Sequence, residues 1–277
     1  MPGPTSRISR RSPQEGSLKD LLDRMYRTLN RREFVHPDPL ELIYEYATPE
    51  DREIVGLVAS ALAYGRVAQI LVSARAVLGR LGPHPRRFVT DESAQTIRRS
   101  VDGIKHRFTD SNEIGDLLVG AGRLVRAYGS LERCFSAGVG SDDETTAQPL
   151  CRFVAELASA AGARPASLLP VPERGSACKR LHLFLRWMVR EDDVDPGVWK
   201  TVDPAMLIVP LDTHMHRIAR QLGVTTRAQA DLRTALDVTR SFREFAPEDP
   251  VRYDFSLTRV GIRPDCSDML VALCSQV

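Results

Sequence analysis

Lys179 and Asp212 are the residues whose types and positions offer the clearest chemistry in this chain. A turn of small residues, Gly175 to Cys178, leads into Lys179 at the start of an apolar helix. Asp212 opens another predicted helix 33 residues further on (212 − 179). A helix start carries partial positive charge, which favours the neutral, nucleophilic amine at Lys179. Asp212 is expected to cap its helix with one oxygen and to present the other to a cleft. The two could therefore share one active site.

His214 and His216 follow Asp212 in a D-x-H-x-H run that offers a metal site as an alternative. The residues after them predict a helix, on which side chains two positions apart point about 200° away from each other. Chelation is therefore disfavoured, and no metal is expected. Cys266 and Cys274 are eight positions apart with no other cysteine pair close by, which argues against an iron–sulfur cluster.

Cys178 and His182, four positions apart on the predicted helix, offer a thiolate nucleophile as a further alternative. No nearby residue is an evident orienting group for the imidazole. A metal- or thiol-dependent hydrolase that uses His214/His216 or Cys178/His182 is therefore the weaker alternative to amine chemistry.

The elements that position these groups are predicted to be helices. Apolar residues recur at helical spacing, no stretch alternates convincingly between apolar and polar residues, and there is no internal repeat. An all-α fold is therefore predicted. Besides a helix that starts at Pro49, helices are expected over residues 18–30, 40–46, 67–81, 112–128, 130–137, 146–160, 176–190, 212–222, 225–245, 251–260 and 264–275, with short helical pieces between 85 and 111 and near 203–208.

Three hydroxyl side chains, Ser17, Thr48 and Thr225, are expected to cap helices. Thr48 is followed by Pro49 and two acidic residues, which is typical of a first helical turn. Gly65 is expected to end the same helix in the left-handed conformation.

The composition is that of an ordinary soluble protein: 277 residues, 43% apolar, 27% charged, with a net charge of +2. Five cysteines, an odd number without a short metal-type pairing, predict reduced thiols and a cytoplasmic protein. No apolar run is long enough to span a membrane, and no membrane partner is expected. Residues 1–16, rich in Pro, Gly, Ser and Arg, are predicted to be a disordered basic arm, and residues 17–277 a single domain.

The turn that leads to Lys179, combined with the segment Val209-Pro210-Leu211-Asp212-Thr213-His214, resembles the helix-hairpin-helix DNA glycosylase superfamily. In that superfamily a hairpin places a lysine on its second helix, and a V-P-V-D-x-H type segment follows with the essential aspartate. The 33-residue spacing resembles the archaeal 8-oxoguanine glycosylase branch. Ala177 departs from the pattern, which has a second glycine two residues before the lysine.

Nearly the whole chain after the N-terminal arm also resembles an uncharacterised bacterial family, the DUF2400 group. The resemblance runs from Phe34-Val35-His36 through the segment that begins at Pro49 to Tyr253-Asp254-Phe255.

The superfamily resemblance implies a two-lobed helical fold of the HhH-GPD type with a cleft between the lobes, and a hairpin and catalytic segment at about 168–223. It implies base-excision repair, in which a damaged nucleotide is flipped out of double-stranded DNA. Lys179 would attack the sugar C1′ to form a Schiff base, and Asp212 would help to deprotonate the amine and stabilise the sugar. The implied activity is that of a glycosylase with AP lyase activity on an oxidised purine, 8-oxoguanine above all. We expect a monomer, without a cofactor, that associates with the nucleoid when bound to DNA.

The same resemblance implies contacts with DNA around the cleft. Backbone amides at the hairpin and at the Asp212 helix would hold phosphates, the turn after the first strong helix would fill the gap left by the flipped base, and aromatic rings would stack on that base. The implied DNA contacts are Tyr64, Gly65, Arg66, Gln69, Gly175, Ser176, Ala177, Arg180 and His214, and the implied base-pocket residues are Trp187 and Phe255. A helical nucleic-acid-binding protein without catalysis is the main alternative.

Overall fold

The computed structural model describes residues 13–163, 167–170 and 175–262. Every regular element within these ranges is a helix, and the only β-type pairings there are isolated bridges. The all-α prediction is therefore confirmed. The predicted arm falls mainly, and the predicted helix over 264–275 entirely, outside the described residues.

Twelve α-helices follow one another in the described part of the chain, together with short 3-10 helices. They are α1 (Pro13–Leu29), α2 (Pro49–Ala61), α3 (Val67–Leu81), α4 (Pro85–Asp91), α5 (Ala94–Ser100), α6 (Ser111–Tyr128), α7 (Leu131–Ala137), α8 (Ala147–Ala161), α9 (Lys179–Val189), α10 (Thr213–Gln221), α11 (Leu232–Phe245) and α12 (Asp254–Ile262). The 3-10 helices are Arg32–Phe34, Pro39–Glu45 and Pro204–Met206.

Local sequence signals set several of these boundaries. The Thr48 hydroxyl accepts a hydrogen bond from the backbone N–H of Asp51, so the predicted cap of α2 is confirmed. The bounds of α3 agree with the prediction, and the short pieces expected between 85 and 111 are α4 and α5. The helix expected over 40–46 is a 3-10 helix instead.

Three predicted boundaries are wrong. The first helix begins at Pro13, a residue suited to a first helical turn, so Ser17 lies inside it. The helix α2 ends at Ala61, and Gly65, with a φ of 98°, lies in the loop beyond. Thr225 does not cap α11, because the helix starts at Leu232 and its cap is Asp231, which accepts from the backbone N–H of Thr234.

The buried apolar side chains form one cluster that runs from α1 to α12. Helix α9 packs on α2, and α12 packs on both α1 and α10, so the two ends of the described chain meet. Because α9, α10 and α12 are held in this way, the residues at their first turns have fixed positions. No helix in the described ranges combines the length and the apolar character needed to cross a bilayer.

Candidate active-site cleft

A cleft of about 700 Å³ lies where the first turns of α9, α10 and α12 approach the loop after α2. Its volume is within the range of small-molecule sites and is sufficient for a nucleobase. The charged side chains that line it are Asp38, Lys179, Arg180, Arg186, Asp212, Asp254 and Arg259. Lys179 and Asp212, which the sequence placed at two helix starts, therefore border the same space.

Lys179 is the first residue of α9 and is half-buried in the cleft wall. It forms no ion pair with any described carboxylate, whereas Arg186 and Arg259 in the same wall are each paired with an aspartate. No described side chain caps the start of α9. The N–H of Leu181 donates to the Cys178 carbonyl oxygen, whereas the N–H groups of Lys179 and Arg180 have no partner among the described residues and can approach an anionic ligand.

The turn before Lys179 explains how Ala177 replaces a glycine. The two residues of this turn with positive φ are Gly175, at 78°, and Cys178, at 43°. Ala177 is buried and is not among the residues of positive φ, so its Cβ introduces no backbone strain. The Gly175 carbonyl accepts from the N–H of Leu232 at 3.1 Å, which ties the turn to α11.

Asp212 caps α10, as expected. Its Oδ1 accepts from the backbone N–H of Met215 at 2.8 Å. Its other oxygen, Oδ2, has no hydrogen-bond partner within the described part of the chain, and the residue lines the cleft. The cap therefore fixes the carboxylate and leaves one oxygen for chemistry. His214, on the first turn of α10, is exposed and lines the same cleft.

Asp254, at the start of α12, is a cleft residue that the sequence reasoning missed. Its Oδ2 accepts a hydrogen bond from Nη1 of Arg186, and its buried Oδ1 has no partner among the residues described. Burial raises the pKa of Asp254, Arg186 opposes that rise, and the charges of Asp212 and Lys179 also act on it. Asp254 is thus close enough to Lys179 and Asp212 for their charges to act on its own ionisation.

The sequence carries a signal that Arg186 and Asp254 are each buried, although it does not show that they meet. Arg186 interrupts the apolar run of α9, and Asp254 lies between Tyr253 and Phe255 in another apolar segment. Ionised groups in such runs are rarely buried unless they are paired with opposite charges. The guanidinium of Arg186 also binds Asp195, with its Nη2 2.9 Å from Oδ1.

Arg180 and Tyr64 form part of the cleft wall rather than an open contact surface. The terminal nitrogens of Arg180 donate to the carbonyl oxygens of Ala61 and Ser167, and burial lowers the pKa of its guanidinium. Its Cζ lies 4.8 Å from the centre of the Tyr64 ring. Arg180 thus holds the loop after α2 against α9, and its hydrogen-bonding groups are largely occupied.

The structure does not bring Arg66 and Gln69 into the cleft. Both are exposed at the start of α3, and Gln69 donates to the hydroxyl of Ser73 at 3.2 Å. Gly65, one residue before Arg66, does line the cleft. Gly175, Ser176 and Ala177 also lie outside its lining and form the turn behind Lys179.

The two candidate stacking rings have different environments. Phe255 lines the cleft, and the Cζ atoms of Arg259 and Arg186 lie 4.8 and 5.8 Å from its ring centre. Trp187 lies about two turns along α9 from Lys179, is fully buried in the core and does not line the cleft. The prediction that Trp187 lines a base pocket is therefore wrong.

The residues of the hydrolase alternative are not assembled. His216 Nε2 is 2.9 Å from the carbonyl oxygen of Arg227, and the described residues contain no group of three His, Cys, Asp or Glu placed to hold a metal. His182 is fully buried, and neither of its ring nitrogens has a hydrogen-bond partner in the described chain. It therefore does not activate the Cys178 thiol.

A protein-family model described as "Protein of unknown function (DUF2400)" matches residues 38–263. The matched span begins at Asp38 in the cleft wall and includes Lys179, Asp212 and Asp254. No curated protein and no solved structure matches the chain.

Proposed function

We propose that this chain, which belongs to the DUF2400 family, is a DNA glycosylase with AP lyase activity that acts through a Schiff base on Lys179. The observation that carries the proposal is that Lys179 and Asp212, at the starts of two different helices, line one cleft of about 700 Å³. Imine chemistry needs an amine and a proton acceptor in one cleft, and among the described residues Lys179 has no ion-pair partner and Asp212 has one uncommitted oxygen.

The reaction would proceed in two stages. The neutral Nζ of Lys179 bonds to the sugar C1′ as the bond from C1′ to the damaged base breaks, and the base leaves with a proton. Asp212 accepts a proton from the amine and stabilises the positive charge that develops on the sugar. The bond from C1′ to O4′ then breaks, O4′ takes the proton back from Asp212, and the double bond from C1′ to Nζ of the Schiff base forms. Loss of a proton from C2′ then breaks the bond from C3′ to the 3′ phosphate and nicks the strand.

Binding of DNA would use the helix starts around the cleft. The first two amides of α9 have no partner among the described residues, and His214 is exposed at the start of α10, so both helix starts can approach phosphates beside the extruded nucleotide. A two-lobed arrangement of the HhH-GPD type around this cleft is part of the proposal, because the superfamily resemblance of the Lys179 and Asp212 segments implies it. Phe255 is the proposed wall of the base pocket.

The proposed lesion is an oxidised purine, with 8-oxoguanine first, because the 33-residue separation of Lys179 and Asp212 resembles the archaeal 8-oxoguanine glycosylases. Asp254, a buried carboxyl group whose Oδ1 has no partner among the described residues, is a further polar group in the same cleft. Two carboxylates close to one lysine allow one to remain ionised for proton transfer while the other is held by Arg186.

The test is borohydride trapping on duplexes that contain 8-oxoguanine, other oxidised bases or an abasic site. Wild-type protein is expected to form a covalent complex, and Lys179→Gln is expected to form none. Lys200→Gln is the matched control, because Lys200 is exposed on the surface and paired with Glu191. If the wild type bound these duplexes but formed no covalent complex, the lyase proposal would be contradicted and a nucleic-acid-binding protein without catalysis would be favoured.

A further inference from the structure

Phe108 is one of two large apolar side chains that are exposed in the described part of the chain, at 66%; the other is Val72 on α3, at 62%. One face of the Phe108 ring stacks on Tyr64, with ring centres 4.9 Å apart and an interplanar angle of 27°. Tyr64 itself lines the cleft. An exposed aromatic ring therefore extends the cleft wall outward into solvent.

The backbone presents Phe108 at the tip of a tight turn. His106 and Thr109 exchange both of their backbone hydrogen bonds, at 3.0 and 2.9 Å, so that only Arg107 and Phe108 lie between them. Arg107 has a φ of 56°, at a position where such turns favour glycine. Strained residues of this kind persist where the surrounding structure holds them, and they are concentrated at functional sites.

The base of this turn is held by a chain of hydrogen bonds. The Tyr64 hydroxyl donates to the carbonyl oxygen of His106 at 2.9 Å. His106 Nε2 is 3.0 Å from the Tyr64 carbonyl oxygen, and Nδ1 is 2.9 Å from the Ser73 hydroxyl. Burial lowers the pKa of His106, so the ring is neutral and donates from Nε2 while accepting at Nδ1. The tip is thus displayed on a rigid base.

The positive charge around Arg107 and Phe108, the tip of the turn, favours binding of a polyanion. Lys105, Arg107 and Arg66 are all exposed beside Phe108 or Tyr64, and none of them is paired with a described carboxylate. The Arg107 side chain lies over Gly65, where a Cβ would come within 2.9 Å of its Cδ. Gly65 therefore allows this arginine to lie against the cleft rim.

We propose that the Arg107–Phe108 tip is the element that enters duplex DNA, with Phe108 inserted into the base stack beside the nucleotide extruded into the cleft. The proposal rests on DNA being the substrate, as in the proposed function, but it does not require the lyase step. An apolar ring on a rigid base, flanked by cations, is suited to separating two base pairs. It replaces Arg66 and Gln69 as the candidate wedge, since the Phe108 ring stacks on the cleft residue Tyr64, whereas Arg66 and Gln69 offer no apolar ring.

The experiment uses a duplex with a tetrahydrofuran abasic analogue and 2-aminopurine as its neighbour. The analogue cannot form a Schiff base, so the assay is independent of catalysis. The full chain is expected to bind and to raise the 2-aminopurine fluorescence as the stack opens. Phe108→Ala is expected to lose this rise and to bind roughly 10-fold more weakly, as for the loss of one stacking contact. Phe108→Tyr should keep the rise, and Val72→Ala, at the other exposed apolar side chain, should behave as the wild type.

The outcomes separate this inference from the proposed function. If the rise in 2-aminopurine fluorescence depends on Phe108 but the protein traps no lesion, the wedge is supported and the proposed lyase activity is contradicted. Trapping by the wild type together with an undiminished fluorescence rise in Phe108→Ala overturns the wedge alone. Failure of the wild type to bind the duplex, or to open the stack, overturns the wedge as well. Unchanged thermal melting of Phe108→Ala would show that the fold is intact.

Discussion

Lys179 and Asp212 begin two different helices, α9 and α10, and both border the same cleft. The two residues have opposite relations to their helices. The carboxylate of Asp212 suits the positive end of α10 and is fixed there as a cap, whereas Lys179 is a basic residue at the first position of α9, where acidic residues are the usual occupants. This difference pairs an immobilised proton acceptor with an amine that has no ion-pair partner among the described residues.

Asp212→Asn should separate the capping role from the chemical role of this residue. Asparagine caps a helix about as well as aspartate, so the free energy of unfolding should change by less than about 0.5 kcal/mol. The rate of base release or of Schiff-base formation should fall by about 100-fold or more, because the uncommitted oxygen loses its charge. Single-turnover cleavage and urea unfolding on the same protein measure the two effects.

A matched control for this substitution is Asp203→Asn. Asp203 caps the 3-10 helix at Pro204 by accepting from the N–H of Ala205, and it does not line the cleft. Its cleavage rate should equal that of the wild type. If Asp212→Asn cleaved at the wild-type rate, the carboxylate would be a cap and nothing more.

Asp254→Ala should strongly destabilise the fold. It removes a fully buried partner of Arg186 and leaves that guanidinium with Asp195 alone. The loss of one partner from a buried ion pair typically costs about 3–5 kcal/mol, and the same loss is expected in the urea unfolding of this variant. Asp237→Ala, which alters exposed pairs on α11, should cost about 1 kcal/mol or less. Equal effects of the two variants would contradict a structural role for the buried pair.

His182→Leu should stabilise the protein, and the gain should grow in acid. Both ring nitrogens of His182 are buried without described partners, so a leucine removes unsatisfied polar groups and should add about 1–3 kcal/mol at pH 7. Burial lowers the pKa of His182 from 6.5 to about 4. The folded protein therefore keeps the neutral ring, while the unfolded chain takes up the proton first as the pH falls.

The stability that depends on neutral His182 is thus fully present above about pH 6.5 and is lost as the pH falls toward 4. The loss between pH 7 and pH 4 should reach about 3 kcal/mol in the wild type and should be absent from the leucine variant. Chemical unfolding at a series of pH values gives both curves. If the free energies of unfolding of the two proteins differed by a constant amount across this range, the buried neutral imidazole would not be the source of the pH dependence.

The sequence predicted those parts of the fold that depend on neighbouring residues. Thr48 and Pro49 carry the local signal for a helix start, and the stripe over 67–81 has a clear helical period, so α2 and α3 were placed correctly. The sequence predicts Thr225 as the cap of this helix, but Asp231 precedes the same apolar stripe more closely. The carboxylate that caps α11 could be identified only once the path of the loop before it was known.

The parts of the site that join distant segments were not predictable in the same way. Arg186 and Asp254 are 68 positions apart, and the local pattern of apolar residues contains no information that the two side chains meet. Trp187 and Phe255 had equal standing in the sequence as aromatic residues on helices, and only the packing of α9 and α12 separates a core ring from a cleft ring. Phe108 lies in a stretch without helical period, where its exposure depends on the turn that carries it.

The most direct test of the central claim is to map the covalent adduct. Wild-type protein would be reduced with borohydride on an abasic duplex, digested, and analysed by mass spectrometry. The proposed function predicts that the sugar remnant is attached to Nζ of Lys179, with no other major adduct. An adduct on a different amine, such as Lys105 or Lys200, or no adduct at all, would contradict it.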